Sequence, residues 1–212
     1  MRLFSPDSKF MRAMSRLADL VLLNMAFLLC CLPLVTAGAA CTALYTVCFR
    51  MVRDAEGHVL GQFFRAFRQS FRTATPLWLL LALAGAVAVL DIWLFAGTPG
   101  ALRLLLALFG LLLLLVLFTA SYAFPLLSQF ENSALGTLKN ALILSLAHLP
   151  RTLAVTALNV FPVALLLFEP YLFLWAGLIW IGLYFSAAAY LGAKLLDGAF
   201  APYREDRKED AP

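Results

Sequence analysis

The chain has 212 residues, 63% of them hydrophobic and 13% charged, with a formal net charge of +4 and a mean hydropathy of +0.90. A soluble globular domain is nearer 45–50% apolar and about 25% charged, and folding a chain of this length still leaves roughly a quarter to a third of its surface uncovered. Soluble enzyme, disulfide scaffold, disordered chain and nucleic-acid-binding domain are therefore excluded as classes. The apolar residues also fall in the long runs that a bilayer requires.

In chain order, Arg2, Lys9, Arg12 and Arg16 precede an apolar stretch from Leu17 to Leu32. That stretch has no small-x-small cleavage site after it and is expected to stay as a membrane helix. Pro33 and Thr36-Ala37-Gly38 interrupt it, and a second apolar stretch runs from Ala39 to Val52. A basic segment, residues 53–75, carries Arg53, Arg65, Arg68 and Arg72. Pro76 opens a span to Ala96, and the turn Gly97-Thr98-Pro99-Gly100 leads to another at about 101–128. Residues 129–150 are semi-polar. Spans at about 151–168 and 171–193 are joined by Glu169-Pro170. Residues 1–196 read as one transmembrane helical domain and residues 197–212 as a charged cytoplasmic tail, expected to fray.

The fold class is all-α: a polytopic helical membrane bundle. Lys and Arg mark cytoplasmic loops, so the N-terminus, residues 50–72, residues 139–151 and the tail from Lys194 are all expected inside. The uncharged turn at 97–100 and the Glu169-Pro170 turn are expected outside. Six transmembrane helices satisfy this if residues 10–53 cross twice as a hairpin broken at Pro33 to Gly38. A five-span alternative leaves four N-terminal positive charges outside. With six spans both termini are cytoplasmic. A weak internal repeat runs through the same segments. Phe67-Arg68-Gln69-Ser70-Phe71-Arg72 and Leu138-Lys139-Asn140-Ala141-Leu142 each precede a proline at a membrane entrance, Pro76 or Pro150. Two units of span, amphipathic helix and span explain it, with chance similarity as the alternative.

Polar residues within spans are costly and are functional candidates by default. Asp19 lies three residues after Arg16, a spacing that suits a local ion pair. Asn24 lies deeper on the same helix and Asn159 sits in the middle of a later span. Each is expected to make an interhelical hydrogen bond. Asp91 and Arg103 flank the 97–100 turn at similar depth and suit a structural pair; an unpaired Asp91 would instead suit proton coupling. Cys30, Cys31, Cys41 and Cys48 read as small hydrophobes in helices. Only two histidines occur, His58 and His148, neither in a metal-type cluster. With no nucleophile elbow and no phosphate-binding glycine loop, no catalytic residue, metal or cofactor is expected.

The segment 60–74 is the most informative loop. Phe63, Phe64, Phe67 and Phe71 share one helical face, and Arg65, Arg68 and Arg72 share another. This reads as a cytoplasmic amphipathic helix lying in the interface. It serves either as an anchor on anionic lipid or as a docking surface for a cytoplasmic partner. A second such helix, containing Lys139, is expected before Pro150.

An ordered set of residues carries a resemblance. It starts with Phe10, Met14, Leu17, Asp19, Leu20, Leu23 and Asn24, then Leu32-Pro33, Thr36, Gly38-Ala39-Ala40 and Ala43-Leu44-Tyr45. Next come Val52-Arg53-Asp54-Ala55-Glu56-Gly57, then Phe64, Phe67 and Phe71. Phe124-Pro125-Leu126-Leu127, Phe130-Glu131-Asn132, Leu138 to Leu142 and His148-Leu149-Pro150 complete it. Together these resemble the YesL-like family of small bacterial integral membrane proteins, over about residues 4–196. Cys30-Cys31 departs from its usual pattern. The resemblance implies a multi-pass protein of the bacterial cell membrane, encoded near carbohydrate ABC transporters. It implies an accessory, assembly or regulatory role, with sugar ABC transporter components as partners beside the lipid bilayer and no nucleic acid. A small-solute transporter in its own right is the alternative. Glu131, Gly136 and Leu149-Pro150 are also similar in order to the loop by which ABC importer permeases meet their ATPase, although Gly136 comes one residue early.

Overall fold

The computed structural model describes residues 9–55, 57–96, 103–130 and 132–209, without the side chains of 9, 10, 12, 13, 103 and 204–209. Helix α1, Lys9–Cys31, leads through a 3-10 turn, Leu34–Thr36, to α2, Ala37–Val52. Then come α3, Val59–Phe95, α4, Arg103–Gln129, α5, Ala134–Ala147, and α6, Leu149–Phe168. The last span is segmented into α7, Pro170–Trp175, α8, Gly177–Ile179, a π-helical turn, Trp180–Tyr184, and α9, Phe185–Glu209. Among the described residues every element is helical, and six helices are long and apolar enough to cross a membrane. This is the architecture of a multi-pass membrane protein. Large apolar side chains such as Leu83, Trp93, Leu104 and Leu167 are more than half exposed, as suits a surface solvated by lipid tails.

Helix α2 is the pillar of the core. Its residues from Gly38 to Met51 are nearly all buried, against α3, α4 and α9. Small residues make this possible: Gly38, Ala39, Ala40 and Ala43 let backbones approach closely. At Gly38 a methyl group would meet the Trp78 side chain and come within 2.6 Å of the Ala74 carbonyl oxygen. The helix ends in a left-handed residue, Asp54, at φ 54°. The Ala55 N–H returns to the Arg50 carbonyl at 3.0 Å and the Asp54 N–H to Met51 at 3.3 Å, a Schellman closure.

Two expectations are revised. The basic segment and the span after Pro76 are one helix of 37 residues, not an interfacial helix followed by a span. Proline removes one backbone donor and ordinarily kinks or breaks a helix. Here the first half of α3 is held by its own packing, with Val59, Phe63 and Ala66 buried in the core. Before Pro150 the chain does break. Helix α5 closes at His148, and Pro150 then occupies the first turn of α6, where its missing donor costs nothing. The second revision is at the C-terminus. Helix α9 runs through the boundary expected at 196 and 197 because Ala199 and Phe200 are core residues.

Helices α3 and α4 form a long antiparallel pair. Trp78 meets Phe124 with ring centres 6.3 Å apart, and Phe95 stacks on Phe109 at 6.3 Å. Between them Gly85 faces Val116.

Candidate functional site

Two places gather the functional candidates. The first is a buried polar node between α1 and the segmented last span. Asn24 is fully buried. Its Nδ2 donates to the carbonyls of Trp180, at 3.0 Å, and Ile181, at 2.6 Å. Its Oδ1 accepts from the Ser186 N–H at 3.0 Å. A π-turn shifts the hydrogen-bond ladder from i+4 toward i+5 and leaves backbone groups out of register, and a single carboxamide answers three of them. The interhelical bond expected of Asn24 is present, but its partners are backbone.

The same node is braced by aromatics. Trp180 Nε1 donates to the Phe173 carbonyl at 2.9 Å, and the Tyr184 hydroxyl to the Leu158 carbonyl at 2.7 Å. Trp180 and Tyr184 meet edge to face at 4.6 Å. From α2, Cys48 approaches the Ser186 carbonyl, with its sulfur 3.9 Å away. All four cysteines are free thiols. The Tyr45 hydroxyl is buried with no hydrogen-bond partner. Asn159, expected to make an interhelical bond, is exposed on α6. Across the bundle, Ser121 of α4 and Thr156 of α6 share a hydrogen bond of 2.9 Å.

The second place is the end of the bundle where basic residues collect. Arg16 pairs with Asp54 in the turn after α2. The expected local pair with Asp19 does not form, because the Schellman closure brings the Asp54 carboxylate to the start of α1. Arg53 is a junction. Its Nε and Nη2 reach one Asp197 oxygen at 3.0 and 2.9 Å, and Nη2 reaches Gln129 Oε1 at 2.6 Å. Its guanidinium also lies 5.4 Å from the centre of the Phe49 ring. One side chain thus fastens the ends of α2 and α4 to the middle of α9. The sequence marked Arg53 as a positive charge and as part of the ordered set, but not as a junction, because its partner Asp197 is 144 positions away.

On α3 at this end, the phenylalanine face is divided. Phe63 is fully buried, whereas Phe64 and Phe71 are 51% and 38% exposed. Phe63, Phe67 and Phe71 follow one another with ring centres 6.4 and 5.9 Å apart. Arg65, Arg68 and Arg72 are exposed beside them. A surface groove of about 720 Å³ is lined by Phe64, Phe67, Arg68, Gln69, Phe71 and Arg72. Lys139 is exposed on α5, whose start is fixed by the Ser133 hydroxyl accepting from the Gly136 N–H at 3.1 Å. Glu131 lies outside the described residues. Asp91 is half-buried toward the far end of α3, and its expected pairing falls on the Arg103 side chain, also outside the description.

The comparisons bear on both places. A family model described as "Protein of unknown function, DUF624" matches residues 20–92. That segment resembles DUF624. It holds Asn24, Gly38, Arg53 and the Phe/Arg face of α3. The chain is also similar to "Uncharacterized protein YteU" of Bacillus subtilis (strain 168), 31% identical over 135 residues, which is 62% of this chain and 60% of that protein. The chain thus spans about 60% of the length of the curated relative it matches. No solved structure matches.

Proposed function

We propose that the chain is a non-enzymatic component of the bacterial cell membrane, with both termini cytoplasmic, that works by docking a protein partner on its basic end. The observation that carries this reading is the divided phenylalanine face of α3. A lipid anchor has use for apolar side chains all turned to the acyl boundary and for charges of any kind. Here Phe63 is spent in the core, while Phe64 and Phe71 stand open beside three exposed arginines. Arginine presents a planar fork suited to carboxylates, for which lysine is a poor substitute. The DUF624 match and the similarity to YteU support a place in the YesL-like family. An accessory, assembly or regulatory role in carbohydrate uptake, with ABC transporter components as partners, follows from that resemblance alone.

Affinity purification of the tagged chain from its native membrane tests the proposal. Replacing Arg65, Arg68 and Arg72 together by lysine should leave membrane insertion intact and reduce recovery of the partner. Replacement by glutamine should reduce it further. Unchanged recovery in both variants, with insertion intact, would leave α3 as a lipid anchor.

One observation favours the second reading, a small-solute transporter. Discontinuous helices mark many transporter sites, and the last span is discontinuous at Trp180–Tyr184. Against it, both ends of the Asn24 carboxamide are committed to that discontinuity.

A further inference from the structure

We infer that the seam between α6 and α9 at the basic end binds one anionic phospholipid. Arg151 and Lys194 hold its phosphate, and an acyl chain lies on Leu191 and Leu195.

Helix α9 presents two faces over this stretch. Gly192, Ala193, Leu196, Ala199 and Phe200 are buried, whereas Leu191, Lys194, Leu195 and Gly198 are exposed. The spacing i, i+3, i+4, i+7 sets those four within an arc of about 100°. They form one stripe along the outside of the bundle. Leu191 and Leu195, 49% and 39% exposed, make the stripe apolar inward of Lys194.

Helix α6 supplies a second charge. It packs on α9, and Arg151 stands in its first turn. The guanidinium reaches across to the stripe: its Nη2 lies 3.8 Å from where a Gly198 β-carbon would stand. Lys194 is one turn before Gly198, and side chains four apart on a helix start about 5–6 Å from each other. Two cationic groups therefore share one short stretch of seam, and Gly198 puts no side chain between them.

No carboxylate among the described side chains neutralises either one. The ion pairs there are Arg16–Asp54 and Arg53–Asp197. Asp197 is close on the same helix, but one of its oxygens accepts from both Nε and Nη2 of Arg53. Like charges held together near a low-dielectric medium repel, and an anion between them turns that repulsion into attraction. A phosphate suits this pair, since arginine offers a planar fork and lysine a point charge.

Depth selects a lipid as the source of that phosphate. Asp197 is tied through Arg53 to Gln129 at the end of α4. Lys194 lies three residues inward of Asp197, about 4.5 Å, and Leu191 nearly one turn further in. A free phosphate ion would use the two charges and leave the apolar part of the stripe unmatched. A phospholipid matches both parts in their order along the helix.

Thermal melting of the purified chain in neutral detergent tests this, with added phosphatidylglycerol, phosphatidylcholine of the same acyl chains, or inorganic phosphate. Phosphatidylglycerol should raise the wild-type melting temperature by about 2–4 °C for each cation engaged, and the other two should do much less. Arg151→Gln with Lys194→Gln should abolish that difference. Arg65→Gln, Arg68→Gln and Arg72→Gln together should keep it, which separates this site from the groove on α3. A second pair of variants retains both cations. Gly198→Glu sets a carboxylate beside Arg151, and Gly198→Gln is its uncharged match. Without added lipid the Glu variant should melt higher than the Gln variant, and phosphatidylglycerol should add less to it. Equal responses to phosphatidylglycerol and phosphatidylcholine would overturn the inference. So would a full phosphatidylglycerol response in the Arg151 and Lys194 double variant or in Gly198→Glu. Inorganic phosphate as effective as phosphatidylglycerol at equal concentration would overturn it too, by showing an anion site indifferent to acyl chains.

Discussion

Asn24 shows how much one buried side chain can hold. It donates twice and accepts once, all to the backbone of a segment whose own ladder is out of register. Asn24→Leu keeps the volume and removes the side-chain acceptor of the buried Ser186 N–H and the donor to the Trp180 and Ile181 carbonyls. Interhelical hydrogen bonds in membranes average about 0.6 kcal/mol and reach about 1.7, whereas an orphaned buried group costs about 1–3 kcal/mol. The orphan term dominates, so Asn24→Leu should lower thermal stability in detergent by about 2 kcal/mol or more. A melting temperature equal to wild type would show that the π-turn closes without it. The sequence made Asn24 visible, since an amide amid leucines needs a reason. Its partners were not visible, because they are main-chain groups freed by a local change of helical pitch. Nothing in Trp180 to Tyr184 advertises that change beyond Gly182.

At the scale of elements, prolines and glycines act through context. Pro76 and Pro150 stand in similar local sequence, yet one lies inside a continuous helix and the other opens a new one. Buried turns precede both prolines, Val59, Phe63 and Ala66 before Pro76 and Ala141 and Leu144 before Pro150, so the proline and its neighbours do not by themselves decide between a continuous helix and a break. Glycines sort the same way. Gly38 has the Ala74 carbonyl 2.6 Å from where a methyl would go, whereas Gly110 has nothing within 4 Å. Gly38→Ala should force α2 and α3 apart and cost about 1–3 kcal/mol. Gly110→Ala, in the interior of α4, should gain up to about 1 kcal/mol from helix propensity. Thermal melts of the two variants in one detergent check the ordering. The reverse order would mean that the α2–α3 contact is looser than it stands here.

For the whole molecule, the helical membrane class and the six apolar helices were legible from composition and run length alone, as both depend only on what faces lipid. The extent of the C-terminal domain was not. Residues after 196 are rich in charge, and composition marks them as tail. The packing instead takes in Phe200, fully buried among Phe49, Tyr122 and Phe130, and Asp197, bonded to Arg53. A chain ending at Tyr203 should therefore melt close to wild type. One ending at Leu196 loses a buried phenylalanine, a change that costs about 3–5 kcal/mol in cores, and should be recovered poorly from membranes. Equal recovery of the two truncations would return residues 197–203 to the tail. The Phe/Arg face was legible in its periodicity, but its division between core and surface was not, because that depends on which phenylalanine meets α2.

The bond from Asn24 to Trp180 bridges 156 positions, and that span has a meaning in time. Synthesis proceeds at about 5–20 residues per second, so the first helix waits roughly 8–30 s for the segment that completes its hydrogen bonds. Throughout that interval an amide sits in the nascent bundle with none of its final partners. Helix α1 thus settles only after the last span has been made, and assembly there closes a loop of 156 positions.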